Sequence, residues 1–315
     1  MRALVIHLGE GSTHILLAST RRQDLEAAPT PRTFLFESRP PQEEEHHNRL
    51  FVMHDEQIRN GADLSLRYLG HLQDELRVSM LRQAAETLDH FRSLAEVVTV
   101  AVSASLLTSP RRPAEDPLVA DFQQQLGVDL HVLTPQDEGL WMLRGVRGIY
   151  PSGELACVAP GFWRSLGVWE EPGRVPRLLD WEAGTSRMPE GLDQGGERLF
   201  PGFRAPPGQP LFISGEHAWL LGALQLGLTF HDLDLLDEAE WDAAGLRKLE
   251  ELLAGLSVPE RNLIPMVGQH GDSLLEALRL CRRLLAESGG TRVRVCSRGL
   301  THGLASHLFY EGRRS

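Results

Sequence analysis

The chain has 315 residues, 42% hydrophobic and 24% charged, with a formal net charge of −11. That length accommodates two cores of about 100 to 200 residues each, and the negative field argues against general affinity for nucleic acid. No run approaches the roughly 20 apolar residues of a membrane-spanning helix, and the N-terminus does not read as a signal peptide. Cys157, Cys281 and Cys296 are too widely spaced to suggest a disulfide framework or a zinc site, so a cytoplasmic location is expected.

In chain order, residues 3–18 read as strand, glycine turn and strand. Leu4-Val5-Ile6 leads into Gly9-Glu10-Gly11-Ser12-Thr13, and Ile15-Leu16-Leu17 leaves it. Glycines and hydroxyls at such a turn let backbone N–H groups approach an anion, usually a phosphate. Arg32–Glu37 is β-like, and a polar stretch from Pro40 to Asn48 follows, in which Glu43 to His47 reads as a solvated loop rather than a metal site. Apolar residues at three- and four-residue intervals predict a helix over 72–94. Val97–Val102 reads as a buried strand, Pro117–Leu126 as a helix, and Asp129–Leu133 as a strand; Pro135 is placed to start another helix.

Residues 155–170 repeat the opening pattern in a degraded form. Ala156-Cys157-Val158 enters Pro160-Gly161-Phe162-Trp163-Arg164-Ser165, where two large aromatics stand at positions expected to be small. The alternative is two unrelated hairpins. Arg177–Trp181 is β-like, and a Gly/Pro-rich stretch runs from Pro189 to Pro210. Leu211-Phe212-Ile213 then leads through Ser214-Gly215 into a helix from Ala218 to Leu226. Helices are predicted over 237–256 and 272–287, a strand over 291–296 and a last helix over 300–308.

The order of these segments resembles the exopolyphosphatase and guanosine pentaphosphate phosphohydrolase family. His7-Leu8-Gly9-Glu10-Gly11-Ser12 is similar to its first phosphate loop, and Val102-Ser103-Ala104-Ser105-Leu106 to its T-S-A-x-R segment. Leu133 to Gly139 is similar to I-S-G-x-E-E-A, Ala159 to Ser165 falls on the second phosphate loop, and Ser214-Gly215 falls on a later G-T-S-G-T. Val295 to Leu304 is similar to V-S-x-x-G-L-R-E-G-L. The resemblance implies a duplicated two-domain α/β fold of the actin/ribonuclease H type with an interdomain cleft. The expected domains are 1–133 and 134–315, with the last helix returning to the first.

The departures point to a degenerate member. The family's loop aspartates, which help hold a divalent cation, fall on His7 and Ala159, and the arginine of T-S-A-x-R falls on Leu106. Magnesium prefers hard oxygen ligands in a near-octahedral shell, so family-type metal binding is not expected. No cofactor is expected, although active family members use magnesium. Gly9, Gly11, Ser12, Thr13, Ser214 and Gly215 are the candidate phosphate-binding residues, and Glu138 is the candidate catalytic base. Glu138 also reads as a helix-start acid beside Asp137, and His7 reads either as a ligand for a softer metal or as a satisfied core or cleft histidine. Three functions stay open: a phosphate- or nucleotide-binding protein with weak or absent hydrolysis, a hydrolase of polyphosphate or guanosine pentaphosphate with an altered metal site, and an interaction protein with a sealed cleft. Polyphosphate, phosphate or a guanosine nucleotide is the expected ligand. No nucleic acid or membrane partner is expected, and the oligomeric state, a homodimer included, is open.

Overall fold

The computed structural model describes residues 1–21, 50–69, 71–107, 110–128, 130–162, 164–185, 198–229 and 232–310. The chain divides into two compact units, Met1–Gly148 joined by the segment from Leu300, and Ile149–Gly299. The division comes later than residue 133 because the helix over Pro135–Arg147 packs on the helix over Leu300–Tyr310, within the first unit.

The first unit is built on a five-stranded sheet of order β3-β2-β1-β4-β5. Its strands are β1 (Arg2–Leu8), β2 (Ser12–Ser19), β3 (Phe51–Arg59), β4 (Val97–Ser103) and β5 (Leu130–Leu133). The first three form an antiparallel meander, whereas β4 runs parallel to both β1 and β5. Helices α1 (Ala62–Leu69) and α2 (Asp74–Phe91) precede β4, and α3 (Pro117–Leu126) precedes β5. Strand alternation sends Leu4, Ile6 and Leu8 into a core with Met80, Leu81 and Phe122, and Ala3, Val5, Leu16 and Ala18 into one with Leu304, Ala305 and Phe309. The last three residues lie on α10 (Leu300–Tyr310), which packs on β1, β2 and α4 (Pro135–Arg147).

The second unit carries a six-stranded sheet of order β10-β11-β9-β6-β7-β8. Strands β6 (Leu155–Pro160), β7 (Ser165–Glu170) and β8 (Arg177–Trp181) form an antiparallel meander. Parallel strands β9 (Leu211–Ile213) and β11 (Arg292–Val295) follow beside β6, in the arrangement of the first sheet. Strand β10 (Glu240–Asp242) is added antiparallel to β11. The helices are α5 (Glu216–Leu226), α6 (Leu233–Leu236), α7 (Ala243–Ala254), α8 (Val258–Asn262) and α9 (Leu274–Ser288).

The helix expected over 237–256 is therefore two elements. Asp242 Oδ1 accepts the Gly245 N–H at 2.7 Å, an N-cap that starts α7 at Ala243 and leaves 240–242 extended. Strand β3 was not expected from sequence. The β-like run at 32–37, the polar stretch at 40–48, residue 163 and residues 186–197 lie outside the described residues. Among the described residues no helix is long and apolar enough to cross a membrane.

Candidate functional site

The two opening hairpins have matching registers and matching turns. Val5 pairs with Leu16 in one, and Cys157 with Val168 in the other. The Gly9 N–H donates to the Ser12 carbonyl at 2.9 Å, as the Gly161 N–H does to the Arg164 carbonyl at 3.1 Å. Each glycine carbonyl in turn accepts from the segment after the third strand, Gly9 from Asn60 Nδ2 at 3.1 Å and Gly161 from the Thr185 N–H at 3.0 Å. The Asn60 N–H also donates to the Gly11 carbonyl at 3.0 Å. The Gly9 N–H is thus engaged within the turn, so any anion held there must draw on other donors. Thr13 is fully buried, and among the described residues its Oγ1 has no hydrogen-bond partner.

His7 and His14 are direct partners across β1 and β2, so their side chains share the face that packs toward α10. His7 Nε2 is 3.1 Å from Ser103 Oγ at the end of β4. Burial, with the nearby charge of His14 adding to it, pushes the His7 imidazole down to about 3, so it is neutral at pH 7. His14 Nε2 is 2.6 Å from Asp55 Oδ1 on β3, and its Nδ1 is 2.9 Å from Thr301 Oγ1 on α10. His302 Nε2 lies 3.1 Å from the other Asp55 oxygen. Burial opposes ionisation of Asp55, but His14 and His302 outweigh it and hold the carboxyl below its usual range. Asp55, Thr301 and His302 were not singled out as site residues from sequence. The available signal was His14 and His302, polar residues on an otherwise apolar strand and helix.

In the second unit the position matching His7 is Ala159, paired with Leu166 as His7 is with His14. Phe162 is buried after Gly161, with its ring 4.5 Å from that of His217 and 6.3 Å from that of His270. His217 Nε2 is 2.9 Å from Ser273 Oγ, and His270 Nε2 is 3.0 Å from Glu216 Oε1 at the start of α5. Ser214 Oγ donates to the Arg298 carbonyl at 3.1 Å, and Gly215, at φ +93, is the N-cap of α5.

Glu138 lies in the first turn of α4 and is 5% exposed. The acid that caps this helix is its neighbour: Asp137 and Thr134 form a reciprocal capping box. Leu106 is part of the core of the first unit.

No family model and no curated protein matches the chain by sequence. Solved structures do match it over its whole length. The Aquifex aeolicus member of the Ppx/GppA family superposes with a TM-score of 0.70 at 14% identity, covering 100% of this chain and 99% of that one. An exopolyphosphatase from Cytophaga hutchinsonii gives 0.68 at 13% identity, covering 98% and 97%. An exopolyphosphatase-like protein gives 0.69 at 11% identity, with the same coverage. The chain has the fold of the Ppx/GppA structures, a two-domain α/β fold of the actin type.

Proposed function

We propose that this protein is a phosphate-ligand-binding relative of the exopolyphosphatases in which magnesium-dependent phosphoanhydride hydrolysis is weak or absent. The observation that carries this reading is His7, a neutral imidazole engaged with Ser103 where the resemblance calls for a metal-binding carboxylate. Its counterpart Ala159 has no side-chain ligand atom, and Asp55 is engaged by two histidines. Among the described residues, no three His, Cys, Asp or Glu side chains form a group suited to a metal ion. These residues do not fit magnesium, which requires hard oxygen donors in a near-octahedral shell.

Glu138 keeps a carboxylate at the position of the family's base. A positioned base contributes about 10²- to 10⁴-fold, whereas phosphoryl transfer depends chiefly on charge neutralisation and alignment. The proposed ligands are phosphate, polyphosphate or a guanosine nucleotide. A second reading, an interaction protein with a filled site, is favoured by the burial of Phe162 against His217. Calorimetric titration of pyrophosphate with and without magnesium separates these readings. Binding that magnesium leaves unchanged supports the first, no binding supports the second, and a large gain with magnesium contradicts both.

A further inference from the structure

Arg261 forms none of the ion pairs made by the three arginines of α9. Arg279 and Arg282 pair with Glu250, and Arg283 pairs with Glu287. Arg261 is only 8% exposed, yet among the described residues its buried Nε and Nη1 have no hydrogen-bond partner. A guanidinium does not shed its proton at any pH a folded protein meets, so burial cannot neutralise it as it would a lysine or histidine. Desolvated donors of a permanent cation call for an acceptor, and an anion also supplies the matching charge.

The local structure fixes this side chain, and among the described residues no carboxylate pairs with it. Ser257 and Glu260 close a capping box at the start of α8, and both Ser257 Oγ and its N–H donate to Glu260 Oε2 at 2.7 Å. The carboxylate next to Arg261 in sequence is therefore engaged elsewhere. Glu216 Oε1 is engaged by His270. The chain then turns back under α8. Asn262 Oδ1 accepts the Gly271 N–H at 2.9 Å, and a Cβ at Gly271 would lie 3.0 Å from the Arg261 Cβ. Only glycine allows this approach, which holds the Arg261 stem against the turn before α9.

We propose that Arg261 anchors a subsite for a phosphate-type oxyanion in the second unit. The planar fork of a guanidinium matches two oxygens of a phosphoryl group, which supplies a charge that no described residue pairs with it. The subsite rests on the phosphate-binding part of the functional reading and is independent of whether hydrolysis occurs.

The test compares thermal unfolding of the native full-length protein with that of Arg261→Met and Arg261→Lys, in inorganic phosphate and in chloride at matched ionic strength without magnesium. Phosphate is expected to raise the native midpoint by about 2 to 5 °C relative to chloride. Arg261→Met should lose that increment, and Arg261→Lys should keep part of it. In chloride, Arg261→Met should unfold at the native temperature or above, because it keeps an unbranched stem and removes a desolvated charge. A full increment surviving in Arg261→Met overturns the subsite and leaves phosphate binding elsewhere intact. A chloride midpoint well below native also overturns it, since the charge would then have a partner within the protein. No increment in the native protein removes the subsite and the binding part of the functional reading together.

Discussion

His14 and Asp55 meet at 2.6 Å across β2 and β3, and the carboxylate that joins them also faces His302 at 3.1 Å. They are diagonal neighbours in the ladder, since Asp55 pairs with Leu16 and His14 with Gln57. One buried carboxylate thus ties the N-terminal meander to the C-terminal helix. Asp55→Asn keeps the shape and removes the charge, and it is expected to cost about 3 kcal/mol in urea unfolding. The folded carboxyl is held below its ordinary value of 3.8, so its contribution is complete above about pH 4 and is lost as the solution becomes more acid. The native advantage over Asp55→Asn should shrink below that pH.

His7 gives a second acid-side signature with a different onset. Its folded value is about 3 against 6.5 for the free side chain, so between those values the unfolded chain binds the extra proton. Stability from this group is complete above about pH 6.5 and falls as pH drops toward 3, by at most about 1.4 kcal/mol per pH unit. His7→Gln should flatten that part of the curve of stability against pH. An unchanged slope would mean that His7 is already open to solvent.

Gly303 lies where α10 packs tightly on α4. A Cβ there would stand 1.8 Å from the Trp141 carbonyl oxygen, a backbone atom that cannot swing aside. Gly303→Ala should cost about 3 kcal/mol by overpacking. Hydrogen exchange should show the loss of protection concentrated in α4 and α10.

Much of the fold was legible in the sequence, because its strongest signals are local. The helix read at Pro117–Leu126 is bounded by an Asp116 cap and by Gly127 at φ +59, both visible as residue types. The repeated hairpin was legible because Val5 with Leu16 and Cys157 with Val168 keep one register. Strand β3 was missed because Phe51–Arg59 is only half-buried and its polar centre, His54 to Gln57, lacks clean alternation. Strand β10 was missed because three residues beside a helix leave the helical period almost undisturbed. The polar cluster was harder still. His14, Asp55 and His302 come from three distant segments, and only strand pairing and the return of α10 bring them together. Sequence likewise gave no sign that the Gly9 N–H would be used within its own turn.

The most direct measurement is phosphate release from long-chain polyphosphate by the purified full-length protein with magnesium, alongside Glu138→Gln. On the proposed reading, the charged groups expected at His7, Leu106 and Ala159 are missing, each worth a few kcal/mol in the transition state, roughly 100-fold or more in rate. The expected result is undetectable or very slow release by both proteins. Robust magnesium-dependent turnover that Glu138→Gln abolishes would contradict the functional reading and establish a working hydrolase with a different metal site.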